Sequence, residues 1–163
     1  MNNHKDRGTK NEGKKVYAKF LLMLLCSFIA MYVTMYFNTY EIDHVYFSLT
    51  RFYMACLGIS AMAVIMLLFM MKMYNDKKKN IAILLGSLVL FISALTLVGT
   101  QTPIGDVLYM NAMIPHHSIA VLTSKMADIK DPEVKKLSEE IIKAQVKEIE
   151  EMKSHIQRLQ SEK

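Results

Sequence analysis

Three long stretches almost without charge decide what this chain can fold into. Residues 16–37, 52–71 and 81–98 are built mainly from Leu, Ile, Val, Phe, Met and Ala. Each is close to the roughly 20 apolar residues that a helix needs to cross a hydrocarbon layer about 30 Å thick. Lys19 falls near one end of the first stretch, where a lysine reaches the headgroups along its own methylenes. Of 163 residues, 52% are hydrophobic, and the remainder is too little to cover three such helices as a buried core. The sequence therefore predicts three transmembrane helices. A cleaved leader is the alternative for the first. Its apolar run is longer than a usual leader, and the bulky residues 36–40 offer no small-residue cleavage site, so a retained span is expected.

Basic residues set the expected orientation. Lys5, Arg7, Lys10, Lys14 and Lys15 precede the first span, and Lys72, Lys77, Lys78 and Lys79 lie between the second and third. The connection between the first two spans has Arg51 against Glu41 and Asp43. Positive flanks stay in the cytoplasm, so three spans put the C-terminal part outside. The formal charge of +5 is thus a topology signal, and no nucleic-acid partner is expected. Four segments follow: a cytoplasmic basic tail at 1–15, a three-span membrane domain at 16–99, a linker at 100–105 and an extracytoplasmic domain at 106–163. Cys26 and Cys56 lie within spans and read as packing residues. Met23, Met31 and the other methionines of the spans read the same way.

The C-terminal domain reads as two helices. One runs from Asp106, as a cap, to about residue 129. Asp131, Pro132 and Glu133 are a helix start, with Asp131 at the N-cap and Pro132 at the first helical position, and the second helix runs to about residue 159. A short turn between two helices gives an antiparallel hairpin. The second helix is amphipathic, with Val134, Ile141, Gln145, Ile149, Met152, Ile156 and Leu159 on one stripe and Lys136, Glu139, Lys143, Lys147, Glu150 and Ser154 opposite. Gln145 is a polar group in the middle of the apolar stripe, and Glu148 and His155 flank it. The first helix turns Val107, Met110, Met113, Ile114, His117 and Val121 inward, with His116 about 100° round the axis. Pro115 deprives the Asn111 carbonyl of its usual donor, which predicts a kink or a helix start nearer Pro115. So small a hairpin cannot bury a sizeable core alone.

Folding the hairpin about residue 130 brings His117 level with Gln145, Met113 with Glu148 and Met110 with Met152. Thioethers, imidazoles, a carboxylate and an amide then converge, and Met with His suits copper. Thioethers also survive an oxidising compartment in which thiols pair. The competing reading is plain packing: methionines at helical spacing fill cores, and an inward histidine can be a hydrogen-bonded core group. His44 with Asp43, near Met35 and Met54, is a lesser metal candidate, against an interfacial loop anchored by Tyr40, Tyr46 and Phe47. No Glu-x-x-His pair for a di-iron centre, no zinc-protease or nucleophile motif and no histidine within a span for haem is present. An enzyme is not expected, nor a haem or nucleotide cofactor. Spans without internal charge argue against a transporter.

The residues Met113-Ile-Pro-His-His117, then Asp131-Pro132, then Ala144-Gln145-x-x-Glu148-Ile149-x-x-Met152 resemble the bacterial family named domain of unknown function 305, over residues 106–160. The three-span front half resembles its membrane-anchored branch. The resemblance implies a ferritin-like helical fold and extracytoplasmic copper or silver binding in metal tolerance, as in members of the CopM type. It carries to Met113, His116, His117, Gln145, Glu148 and Met152. The chain departs from many soluble members at Leu122 and Thr123, where those have Glu and Met, and carries the motif once where those often carry it twice.

The expected fold is therefore all-α: three transmembrane helices plus a hairpin that is half of a ferritin-like four-helix bundle, in a bacterial inner membrane. The expected function is copper buffering or hand-over by a membrane-tethered protein. The expected metal ligands are Met110, Met113, His116, His117, Gln145, Glu148 and Met152, with His44 and His155 as lesser candidates. Expected partners are the lipid bilayer, a second copy through the hairpin, and a metal transporter or oxidase. The alternative is a structural or interaction module docking on a membrane partner, with the His pair serving packing.

Overall fold

The computed structural model describes residues 3–162, with side chains from Lys15 onward. Lys5, Arg7, Lys10 and Lys14, on which part of the orientation argument rests, therefore lie outside the described side chains. The described residues hold five α-helices and no strand: α1 Asn3–Thr34, α2 Leu49–Phe69, α3 Lys77–Thr100, α4 Asp106–Met126 and α5 Pro132–Ser161. Short 3-10 turns occupy Ile42–His44 and Met71–Met73. The chain divides into two compact units. One joins the chain up to Tyr32 with Phe52–Thr100, and the other joins Val33–Arg51 with Gln101–Lys163.

Three segments, lying mainly in the first unit, are long and apolar enough to cross a membrane: Lys15–Thr34, Leu49–Phe69 and Lys77–Thr100. Their ends differ from the apolar runs because caps, not hydropathy, set where a helix starts. Ser48 Oγ accepts the N–H of Arg51 at 3.2 Å, an N-cap that begins α2 three residues before the uncharged run. Asp76 Oδ1 accepts from the N–H groups of Lys78 and Lys79 at 3.1 and 3.3 Å and starts α3 likewise. α1 stops at Thr34, where Tyr36 and Phe37 turn back onto the carbonyls of Val33 and Thr34.

This unit packs around Tyr17, Phe20, Ala63, Leu67 and Tyr74. Tyr17 Oη donates to Asn80 Oδ1 at 2.7 Å and accepts the Asp76 N–H at 3.2 Å, which ties α1 to the loop before α3. Leu85, Val89, Ile92 and Leu95 of α3 stay exposed. So long an apolar row is uncommon on a surface in water and is compatible with lipid.

The second unit is the hairpin plus the 33–51 connection. Asp131 caps α5 as its sequence predicts: its Oδ1 accepts from Glu133 and Val134 N–H, both at 2.9 Å, with Pro132 following. α4 begins beyond Gly105, so Asp106 is its first residue and not its cap. α4 runs unbroken across Pro115, and no restart occurs there. The ring of Pro115 is fully buried, so packing compensates for the missing hydrogen bond. α4 ends at Met126 because Ala127 turns to extended backbone.

Met110, Ile114, Ile149 and Ile156 form the core, with Tyr46, Val107, Met152 and Leu159 packed against them. The stripe of α5 is buried only along that part. Val134 and Ile141, expected inward, are exposed. Near the tip Ser138 Oγ donates to the Ser124 carbonyl at 3.4 Å. Tyr46 in the core shows that the connection between α1 and α2 is part of this unit.

Candidate metal centre

The centre is built one helical turn either side of His117. Four residues before it on α4, the Met113 carbonyl lies 2.9 Å from His117 Nδ1. A carbonyl only accepts, so Nδ1 carries the hydrogen. In the neutral ring Nε2 is then bare. That atom lies 2.8 Å from Glu148 Oε2 on α5, and an ionised carboxylate also only accepts. Two acceptors at this separation require a cation between or beside them, either a proton or a metal ion. Holding Nδ1–H on a carbonyl is how proteins fix the tautomer of a metal-binding histidine. The Gln145 amide adds to the same point: its Nε2 donates to Glu148 Oε2 at 3.4 Å.

His117 therefore meets Glu148 and not Gln145. At His117 the level pairing counted from the turn misses by about one helical turn, for a geometric reason. Side chains lean toward the N-terminus of their own helix. In an antiparallel pair both leans add, so long side chains meet with a larger sum of residue numbers than their backbones do. Met113 enters the centre through its carbonyl, with its side chain half-buried. His116 is exposed, its ring centroid 6.0 Å from that of His117 at an interplanar angle of 65°. Met110 and Met152 share the apolar cluster of the hairpin. His155 is exposed and makes no hydrogen bond or ion pair among the described residues.

His44 lies in a separate cluster, on the 3-10 turn of the 33–51 connection. It is buried, 5% exposed, with Nδ1 3.0 Å from Ser118 Oγ on α4. Ser118 also accepts the Tyr40 N–H at 2.7 Å. Lys153 Nζ on α5 donates to Asp43 Oδ2 at 2.7 Å and to Glu150 Oε1 at 3.2 Å. The Lys153 hydrogen bond lowers the pKa of the Asp43 carboxyl from its ordinary value, against the opposing effect of burial. Burial works against the Lys153 charge, but its bonds to Asp43 and Glu150 outweigh that and raise its pKa. Sequence reasoning passed over Ser118 and Lys153. A serine after a His pair and a lysine beside a charged stripe carry no signal until the connecting loop is folded onto the hairpin.

The fold and these residues define an all-helical protein with three membrane-length apolar helices and a polar C-terminal hairpin. Residues 102–163 match the family model of the domain of unknown function (DUF305), and the chain belongs to that family. It is 36% identical over 137 residues to an uncharacterized protein of Acanthamoeba polyphaga mimivirus, an alignment that takes in 82% of this chain and 88% of that protein. An alignment of that length reaches beyond the hairpin into the apolar helices. No solved structure matches the chain.

Proposed function

We propose that this protein is a membrane-tethered, extracytoplasmic metal-binding protein that buffers or hands over copper, or silver, without chemistry of its own. The observation that carries the reading is Nε2 of His117 facing Glu148 Oε2 at 2.8 Å. The imidazole and carboxylate suit a borderline divalent ion, and thioethers suit copper in its reduced form. His116 and Met113 stand nearest in sequence to complete a ligand set. Met110 and Met152 would contribute from the adjoining apolar cluster.

The proposed orientation is supported by the chain's connectivity. The 33–51 connection and the C-terminal hairpin belong to one unit, and three crossings require those two segments to share a side. Lys72, Lys77, Lys78 and Lys79 flank the other ends of α2 and α3, which favours the cytoplasm there. The membrane proposed is a bacterial inner membrane, as the resemblance implies. The mimivirus relative shows that such chains are not confined to bacteria.

The test is metal stoichiometry. Protein purified in detergent is loaded with copper, and bound metal per chain is measured for wild type and for His116→Ala/His117→Ala. Loss of about one ion per chain is expected. Equal metal in both removes the site.

A second reading has its own observation. Val134, Leu137, Ile141 and Val146 of α5 are exposed apolar residues on a hairpin otherwise rich in charge. That surface suits a second hairpin, completing a four-helix, ferritin-like bundle, or a membrane partner such as a transporter or oxidase. Crosslinking in detergent that finds monomer alone, with and without copper, would count against pairing.

A further inference from the structure

We propose that Glu41, Asp43 and His44 form a second cation site, separate from the hairpin centre and suited to a divalent ion of the zinc or oxidised-copper class. Carboxylates at a surface turn are ordinarily just solvated. The imidazole among these is not. It is buried and held from behind by Ser118 Oγ at 3.0 Å, so its Nε2 points outward between the two carboxylates. Asp43 Oδ1 lies 3.8 Å from Nε2 and Glu41 Oε2 3.9 Å. Those separations are too long for hydrogen bonds, and Nε2 has no other partner among the described residues. Ligands on one tetrahedral ion with bonds of roughly 2.0–2.2 Å lie about 3.4 Å apart, a distance the two exposed carboxylates reach by a small movement toward Nε2. The three ligand atoms all fall within 4.8 Å of one another.

The charges around the turn agree. Lys153 occupies the far oxygen of Asp43, Oδ2, and is shared with Glu150. That one positive charge stands against three carboxylates, Glu41, Asp43 and Glu150, which leaves the turn with a net of about two negative charges for a divalent ion. Asp43 Oδ1 stays turned toward the histidine because Oδ2 is anchored. The set is one nitrogen and two oxygens with no sulfur, which favours zinc or oxidised copper over reduced copper. Ser118 is the positioning residue. Its hydroxyl accepts from Tyr40 N–H and pairs with His44 Nδ1, so Nδ1 is engaged with the protein and Nε2 is the ring nitrogen left to an ion, which takes it up as the neutral Nδ1–H tautomer. Glu41 and Asp43 are largely exposed, so the remaining coordination positions are open to water and the ion exchanges freely.

The experiment uses the full chain in detergent, titrated with zinc alone, with bound metal counted by mass spectrometry. Four proteins are compared: wild type, Glu41→Gln, His44→Gln and the hairpin variant Glu148→Gln. Glu41→Gln is expected to weaken zinc binding about tenfold or more, and His44→Gln to abolish that class of site, with Glu148→Gln unchanged in it. Glu41 is an exposed side chain whose replacement leaves the packing of the turn intact, so it decides the matter even if His44→Gln disturbs folding. Wild-type zinc affinity in Glu41→Gln overturns the proposal. So does zinc lost in Glu148→Gln but kept in Glu41→Gln, which assigns the ion to the hairpin. Failure of the hairpin centre alone leaves the Glu41 effect in place and is thereby told apart.

Discussion

The Nε2 of His117 stands 2.8 Å from Oε2 of Glu148 while Nδ1 donates to the Met113 carbonyl, so the pair is held together by a proton or a metal ion. A helix–helix contact of that kind is repulsive without a cation and attractive with one. The centre is therefore expected to respond to loss of either partner and to carry its effect into the hairpin.

Glu148→Gln keeps the shape of the side chain and removes its charge. Copper affinity is expected to fall by at least about tenfold, as for loss of a ligand or its close support. Isothermal titration of the detergent-purified protein measures it, and unchanged affinity would show that Glu148 is not part of the centre.

Gln145→Leu removes the amide that holds Glu148 Oε2 but no proposed metal-facing charge. Gln145 is then a positioning residue, and affinity should drop about tenfold, at the lower end of the range for outer-shell partners. The number of ions bound per chain at saturation should stay that of wild type, which a ligand replacement would not allow.

Asp131→Ala removes the side chain that accepts two N–H groups at the start of α5. A loss of about 1 kcal/mol is expected, read as earlier thermal unfolding of the hairpin by circular dichroism. Asp131→Asn should restore most of it, because an amide oxygen caps nearly as well.

The Asp43–Lys153 tie has a definite pH window. The lowered Asp43 pKa means that its contribution is complete above the ordinary 3.8 and is lost as pH falls through the folded value beneath it. The raised Lys153 pKa means that its contribution is complete below the ordinary 10.5 and is lost as pH rises through the folded value above it. The tie thus holds through the neutral range. Asp43 is largely exposed, so the contribution is below about 1 kcal/mol. Lys153→Met at neutral pH should speed hydrogen exchange in residues 41–46, and wild type in acid, once the pH is below the folded Asp43 value, should approach it after correction for intrinsic rates. Equal exchange in wild type and variant at neutral pH would contradict the tie.

The three long helices were legible because uncharged runs of this length have few alternatives, and the Asp131-Pro132 start was legible because its chemistry is local. Helix ends at Ser48 and Asp76 were missed because a cap is one side chain among many small polar ones. The contact between the two helices of the hairpin was less legible in its register: the meeting of His117 with Glu148 depends on the direction in which side chains lean, which residue numbers omit. Least legible was the bond between His44 and Ser118. Seventy-four positions separate them, and no local pattern announces a surface loop that folds onto a distant helix.

That loop changes what kind of appendage the C-terminal hairpin is. A domain on a single flexible linker swings freely and is shed by one proteolytic cut. This unit takes in Val33–Arg51 as well as Gln101–Lys163, so the polypeptide enters and leaves it at Val33, Arg51 and Gln101. A nick between Thr100 and Gly105 would sever only the last of these junctions, and the fragment would stay clasped by Tyr46, Ser118 and Lys153. The hairpin is thus moored to the rest of the chain at three points of the polypeptide and not by a single leash.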